Sequence, residues 1–476
     1  MESRRPLSPT PLAWAAEPAD AEALPPETVF RAGLQLHHLA NTAYPIGHRQ
    51  TIWSYRRPAA EHAALLEASL GGDEPMGLYA HIPFCQRRCA FCEYTVLPSH
   101  SEELEARYQQ ALEGELALTL RLLGAGRKRL VGFDIGGGTP GLIAPARVGA
   151  LVAAVRSGFL LEPGFAISIE TTPSLAARHL DRLQAYRSFG IERISMGLQV
   201  ASSRLLAHYG REQPLHHNQR AVENVRRAGF RTLNLDLMYG LLRQGEDDLR
   251  ASLEHAVALD PEVITLYRMR YKGTRIAAEG AGVDRERVVA EQELAHGLLA
   301  AAGYHANPGK NAFSRDPADP GTSAYLTARV GRGTPYLGLG LGAQTFTGTL
   351  LGYNQGAASK RLEPYLRAVA EGRPPLQDLY WLPRSEGMAK MIAVSFYFGE
   401  IDRRAFELRF GLPLEACFPE EVRFLVRHRL MEARDGRLSL THRGARVLNG
   451  VIALFYSPRV KAHLLSLAEA SRRRAA

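Results

Sequence analysis

Cys85, Cys89 and Cys92 stand together in the run His81-Ile-Pro-Phe-Cys-Gln-Arg-Arg-Cys-Ala-Phe-Cys-Glu-Tyr94, three of the four cysteines of a 476-residue chain. Thiolates clustered on one loop suit a soft metal centre, either an iron–sulfur cluster or zinc. A disulfide would use two of them and strand the third. A structural zinc site closes with four ligands, so zinc would need a fourth, for which His81 and His100 are the nearby choices. Three protein ligands otherwise leave one metal position open to something that is not protein. The remaining cysteine, Cys417, is far away in sequence and reads as a core residue, because free cysteines are usually buried.

A second element lies downstream. Leu130-Val-Gly-Phe-Asp-Ile135 is an apolar, strand-like run that leads into Gly136-Gly-Gly-Thr-Pro140. Glycines after a strand let the backbone approach a ligand closely, since no Cβ intervenes. Alone, such a run reads equally well as a turn.

Together the two elements narrow the reading. Cys-x3-Cys-x2-Cys with an aromatic at Phe91 resembles the cluster loop of the radical S-adenosylmethionine (SAM) superfamily. The resemblance implies a [4Fe–4S] cluster on Cys85, Cys89 and Cys92, with SAM chelating the fourth iron. An electron from the reduced cluster would then break the sulfonium bond and release a 5′-deoxyadenosyl radical. The cofactor carries the hard chemistry and the protein orients it.

The branch is suggested by the order of further motifs. Tyr79-Ala-His81, Gly136-Gly-Gly-Thr-Pro140, Ile169-Glu170-Thr-Thr-Pro173, Ser195-Met-Gly-Leu-Gln199, Gly210-Arg211 and Asn234-Leu-Asp236 resemble, in sequence, the oxygen-independent coproporphyrinogen III oxidase (HemN-like) family. Thr42-Ala-Tyr-Pro45 resembles that family's N-terminal arm. The likeness implies that Tyr79 and Phe91 lie beside the cluster and SAM. Gly137, Gly138 and Thr139 would line the methionine end of SAM. Glu170 would take its ammonium and Arg211 its carboxylate, both charge-assisted contacts. Gln199 and Asp236 would reach the ribose hydroxyls. Taken singly, each has an ordinary reading: Glu170 and Asp236 as caps or ion-pair partners, Arg211 as a surface residue, Gln199 as a turn residue.

The departures from the family also carry information. Its decarboxylating members follow the third cluster cysteine with a glycine and another cysteine; here the run is Glu93-Tyr94-Thr95. In the region that takes a second SAM, the family's glutamine and isoleucine positions are Leu326 and Gln344. These changes turn the expectation toward a relative on the same scaffold, the class C radical SAM methyltransferases, which use two SAM molecules to methylate sp² carbons. Oxidative decarboxylation of a porphyrinogen propionate is the alternative, and heme binding by a chaperone or anaerobic heme modification another. Glu93, Tyr94 and His81 are candidate general bases by location. The implied partners are a small-molecule, tetrapyrrole or peptide substrate and a reducing protein such as flavodoxin or ferredoxin.

A scaffold must hold these residues. From about residue 77 strand-like and helical runs alternate. Strands are expected at Gly77–His81, Val131–Ile135, Phe165–Glu170, Arg193–Gln199, Thr232–Met238 and Glu262–Tyr267. Amphipathic helices such as Glu105–Leu123, Leu175–Phe189, Asn218–Ala228 and Asp247–Ala258 lie between them. That order gives an α/β fold with a parallel sheet and outer helices. Six units rather than eight leave a barrel partly open, the partial (β/α)6 barrel of the superfamily, with sites at the carboxyl ends of its strands. The expected organisation is an N-terminal arm over 1–70 and the barrel over 71–310. A barrel extension follows over 311–375, whose glycine-dense Tyr336–Gln344 would approach a ligand or the barrel mouth. A mainly helical, winged-helix-like domain completes it over 376–476, with Arg437–Thr441 as its small β element.

Composition fits an enzyme of this kind. Hydrophobic residues make up 46% of the chain, ample for a sizeable core. No apolar stretch reaches membrane-spanning length. No apolar signal core follows Met-Glu-Ser-Arg-Arg-Pro, and the unpaired cysteines suit a reducing compartment, so the cytoplasm is expected. The net charge of +9 is dispersed, with no basic block except Arg472-Arg-Arg474, which argues against a nucleic acid partner.

Overall fold

The computed structural model describes residues 12–18, 24–98, 101–123, 128–211 and 213–475. His100 and the first eleven residues lie outside them.

Six strands alternate in character along their length. They are β1 (Met76–Ile82), β2 (Arg129–Gly137), β3 (Leu160–Thr171), β4 (Ile191–Gln199), β5 (Thr232–Tyr239) and β6 (Val263–Arg268). All pair in parallel, in chain order. Every second residue faces outward and is apolar: Leu78, Ala80 and Ile82, Phe133 and Ile135, Ile167 and Ile169, Ile194 and Met196, Leu233 and Leu235, Ile264 and Leu266 are buried. This face joins the main core with the helices that return the chain between strands. Those helices include Glu102–Leu122, Pro145–Gly158, His216–Ala228 and Glu246–Ala258. The run expected as one helix over Leu175–Phe189 is two, Pro173–Arg178 and Leu180–Ser188, broken at His179 (φ −129°, ψ 72°).

The opposite face is unlike a packed barrel interior. Closed eight-stranded barrels fill it with layers of branched apolar side chains. Here the inward positions carry Tyr79, Asp134, Glu170, Asp236 and Tyr267, with Gly136 and Gly197 among them. Register sets Tyr79 beside Asp134 and Gly197 beside Asp236. Polar groups withdrawn from bulk water are costly unless they are paired or used, so this face marks the site.

The sheet continues beyond the barrel on both sides. β7 (Ala312–Ser314) pairs antiparallel with β6, and β8 (Tyr336–Leu339) pairs parallel with β1. β9 (Gln344–Phe346), β10 (Leu350–Asn354) and β11 (Leu376–Trp381) extend the β8 side to give eleven strands. The glycine-dense segment is therefore β8 and its return to β9. A Cβ at Gly338 would lie 2.4 Å from Gln344 O, and one at Gly340 would lie 2.6 Å from His81 O. At these two positions, the glycines bring protein close to protein.

The arm and the C-terminal region share a second core. Val29 and Ala32 on the helix Pro26–Gln35, and Leu36 just after it, pack with Met388, Ile392, Phe406, Ile452 and Phe455. A small antiparallel sheet, β12 (Glu400–Asp402), β13 (Met431–Arg434) and β14 (Arg437–Leu440), has the order β12-β14-β13 and lies among helices. Cys417 is only half-buried and packs at the edge of this core. Among the described residues no helix is long and apolar enough to cross a membrane.

Candidate active site

The cysteine loop leaves the carboxyl end of β1 and is fastened at both ends. Cys85 N donates to Leu97 O (2.9 Å), Leu97 N to Pro83 O (2.7 Å) and Cys92 N to Cys89 O (3.2 Å). Phe91 is half-buried and packs its ring against Tyr209, in an apolar cluster that includes Met238, Met269 and Tyr271. Ala90 is gripped on both sides, its N–H by Tyr209 O and its carbonyl by Arg275 N. Lys360 donates to the carbonyls of Glu93 and Tyr94. All three cysteines are free and part-exposed. Burial pushes the Cys85 thiol up to about 11, and the Cys92 thiol is also raised by burial.

The glycine run meets this loop directly. Gly138 N donates to Ile82 O and Thr139 N to Phe84 O, both at 2.8 Å. A Cβ on Gly138 would stand 2.6 Å from Phe84 O, and one on Gly137 would stand 2.7 Å from the His81 ring. A Cβ on Gly136 would stand 2.8 Å from a Glu170 carboxylate oxygen. The close approach these glycines permit is thus between β2, the cysteine loop and β3. Thr139 Oγ1 lies 3.5 Å from Cys85 Sγ.

The polar residues gather around the same hollow. Glu170 accepts from Gly137 N at 3.1 Å, and its carboxyl is raised to about 7 by burial and by the facing Asp236. Asp236 accepts from Asn234 Nδ2 at 2.8 Å and is raised to about 6, chiefly by burial. Arg211 spans the strand ends: it donates to Gly197 O and to Gln213 Oε1, and its Nη1 lies 3.9 Å from Cys89 Sγ. Gln199 sits at the end of β4 with φ +67°, and its side-chain amide folds over Gly197. Glu170, Asp236, Arg211 and Gln199 therefore line one region beneath the cysteines, as the sequence suggests. Carboxylates held protonatable by their surroundings are relieved by a cation, and SAM carries both a sulfonium and an ammonium.

The candidate bases occupy three different settings. His81 is buried; its Nε2 bonds Thr95 O (2.7 Å) and its Nδ1 the Tyr79 hydroxyl (3.2 Å). Burial lowers it to about 4, so the ring is neutral, donates to the carbonyl and accepts from Tyr79. It meets a substrate proton only through that phenol. Glu93 is held by an ion pair with Arg270. Tyr94 is 55% accessible and Tyr267 38% accessible, although both lie deep within the protein. Their accessible surface faces the hollow, and burial raises both hydroxyls.

Gln344 and Leu326 are positioned differently. Gln344 accepts from the Tyr336 hydroxyl, and Leu326 packs in an apolar cluster with Tyr79, Tyr325, Tyr336 and Tyr353. Both are engaged with aromatic side chains. Sequence reasoning passed over Arg270, Tyr267 and Asp134. For Asp134 and Tyr267 the available signal was parity with Glu170 and Asp236 on inward strand positions; Arg270 lies two residues beyond the end of β6.

Three free thiols on one loop suit a [4Fe–4S] cluster as a donor set. Among the described residues no three His, Cys, Asp or Glu side chains converge closely enough to hold a single metal ion. A cubane does not need such convergence, because each thiolate meets a different iron. Raised thiols ionise on binding metal, which releases their protons.

Comparison with known proteins adds to this. Residues 79–256 match the radical SAM superfamily and residues 398–447 the HemN C-terminal domain. The chain is 26% identical over 421 residues to the oxygen-independent coproporphyrinogen III oxidase of Escherichia coli K12, covering 85% of this chain and 88% of that protein. It is 28% identical over 390 residues to the heme chaperone HemW of Mycobacterium tuberculosis, covering 80% and 94%. The solved structure of the E. coli oxidase HemN, described as a radical SAM enzyme, superimposes with a TM-score of 0.70 at 22% identity, covering 85% of this chain and 96% of that one.

Proposed function

We propose that this chain, a radical SAM protein with a HemN C-terminal domain, removes a hydrogen atom from a carboxylated tetrapyrrole and thereby starts an oxidative decarboxylation. The observation that carries the reading is the hollow on the inner face of an open parallel sheet. It lies beneath a three-cysteine loop and is lined by Glu170, Asp236 and tyrosines. The near full-length similarity to coproporphyrinogen oxidases supports the substrate class.

A [4Fe–4S] cluster and SAM are the cofactors of this domain, and when bound they supply a 5′-deoxyadenosyl radical. We assign Cys85, Cys89 and Cys92 to the cluster. Glu170 holds the SAM ammonium and Arg211 its carboxylate. Asp236 and Gln199 reach the ribose, and Thr139 lies beside the methionine end. Phe91 fixes the cysteine loop by packing. Tyr79 and His81 hold a proton between them beside the cluster. Glu93 and Arg270 fix the segment that follows the third cysteine, which sets Tyr94 at the hollow's surface. The site takes electrons from a small reducing protein such as flavodoxin or ferredoxin, which fits a cytoplasmic setting.

C-methylation with a second SAM gives way to this reading. The relatives named above are an oxidase and a chaperone, and Gln344 and Leu326 are committed to aromatic neighbours. The test is anaerobic reconstitution with iron and sulfide, followed by SAM, dithionite and coproporphyrinogen III. Substrate-dependent 5′-deoxyadenosine with carbon dioxide supports decarboxylation. S-adenosylhomocysteine formed in step with turnover overturns it in favour of methylation. The similarity to HemW favours a second reading, heme binding; a Soret band on adding heme, with no substrate-dependent SAM cleavage, would establish that instead.

A further inference from the structure

Toward the amino ends of the strands, a buried guanidinium has no ion-pair partner among the described residues, and a buried lysine stands beside it. The helix Ala324–Gly331 crosses the amino ends of the strands, so close that a Cβ on Gly132 would stand 2.4 Å from Tyr325 N. It carries Arg329, whose guanidinium lies 4.2 Å over the Tyr336 ring and donates to the Tyr325 hydroxyl at 3.1 Å. Its Nε is buried with no acceptor. Among the described residues no carboxylate lies within ion-pair distance of it. Asp134 faces it from β2, but one Asp134 oxygen accepts from Ser323 and the other has no partner. Arg193 faces Asp134 from β4 and donates to Gly321 O.

Lys390 stands beside Arg329 on the neighbouring helix Arg384–Ser395 and is 5% exposed. Its ammonium donates to Tyr44 O at 2.8 Å. Burial and the Arg329 charge lower it to about 7. His48 lies near Lys390, bonded to the Tyr353 hydroxyl, and is lowered to about 4 by burial, so it contributes no charge at neutral pH. Tyr79, Tyr353 and Tyr397 each keep some accessible surface around this pair.

A guanidinium held away from bulk water with an unpaired N–H, and with a lysine beside it, is costly without an anion. A guanidinium stays charged throughout the pH range of proteins and is suited to a planar oxyanion. We infer that Arg329, with Lys390 behind it, is a subsite for a carboxylate side chain of the substrate, and that the tyrosines around it receive the substrate's flat ring system. This rests on the proposed tetrapyrrole reading and deepens it by naming the residues that select an acid. No motif in the sequence singled out either residue.

The test uses the full-length protein without SAM or reductant. It compares coproporphyrin III, which carries carboxylates, with its tetramethyl ester, followed by porphyrin fluorescence. The expected result is that the wild type binds the acid at least about tenfold more tightly than the ester, as loss of a partner from a buried charge implies. Arg329→Gln should remove that preference while binding the ester as before, and Arg329→Lys should restore part of it. Equal binding of acid and ester by the wild type overturns the inference, and needs no variant to fold. So does an Arg329→Gln protein that keeps the acid preference. Failure of the wild type to make 5′-deoxyadenosine in the separate turnover assay would sink the proposed reaction and leave the acid preference standing.

Discussion

Glu170 should make SAM binding depend on pH in a calculable way. Its carboxyl is held at about 7 by burial and by Asp236. If Glu170 holds the SAM ammonium as proposed, only its ionised form does so, and affinity is lost as pH falls through that value. A carboxyl of this pKa is about three-quarters ionised at pH 7.5 and about one-tenth ionised at pH 6, which predicts roughly eightfold weaker binding at pH 6. The ligand's own amino group titrates near about 7.8 and stays mostly protonated across the window. Asp236, held at about 6, titrates across the lower part of the window and adds a smaller slope. Its ionised fraction halves over the range, about twofold on the same arithmetic. Glu170→Gln, which mimics the protonated carboxyl, should therefore bind SAM at least about eightfold less tightly at pH 7.5 and show no more than about a twofold pH effect. Calorimetric titration of the anaerobic holoprotein at the two pH values checks this. A Gln variant that keeps the full eightfold dependence, or a wild type without it, refutes the argument. Stability has the opposite sign. A carboxyl raised in the folded state favours folding least when ionised, so the penalty is absent below its unfolded value near about 4.3 and complete above about 7. Glu170→Gln should thus melt no lower than the wild type at pH 8 in the absence of ligand.

Other perturbations have equally direct readouts. Gly138→Ala drives a methyl to within 2.6 Å of Phe84 O, a backbone atom of the cysteine loop. Overpacking of this kind costs about 1–3 kcal/mol, so the melting temperature and the iron retained after reconstitution should both fall; no change in either contradicts the packing account. Replacing Cys85, Cys89 or Cys92 by Ala should remove the brown charge-transfer absorbance, whereas Cys417→Ala should retain it and its iron, as elemental analysis will test. Glu93 and Arg270 are each nearly one-third exposed at the side chain, so solvent screening limits their ion pair. A double-mutant cycle with Glu93→Gln and Arg270→Met in urea should give a coupling of about 1 kcal/mol, and zero coupling would detach Arg270 from the loop.

The site was legible in the sequence where chemistry dictates residue type and strand parity dictates direction. Glu170 and Asp236 take inward positions on β3 and β5 because alternation puts every second residue on the inner face, and Gln199 ends β4, whereas the cysteines and Arg211 lie on loops that only their motifs pick out. What was not legible depends on contacts between distant segments. The triple glycine reads as a ligand cradle, yet its missing side chains make room for Phe84, His81 and Glu170. Tyr336–Gln344 reads as a segment approaching a ligand or the barrel mouth; Tyr336–Leu339 within it pairs with β1, a pairing that no local pattern announces. That the Phe91 ring packs against Tyr209 was also not legible, since the two are distant in sequence. Arg329 and Lys390 could not be found from sequence, because a helical arginine or lysine is ordinarily a surface residue.

The edges of the six-stranded sheet carry a consequence for how large molecules reach its inner face. β1 is hydrogen-bonded to β8 and β6 to β7, so neither has a free row of backbone groups. The two cannot zip together to seal the cylinder, and no strand from another chain can be added there. The seam between β1 and β6 is therefore not closed by strand pairing. A rigid disc-shaped guest can pass through such a seam without any strand letting go of its partner.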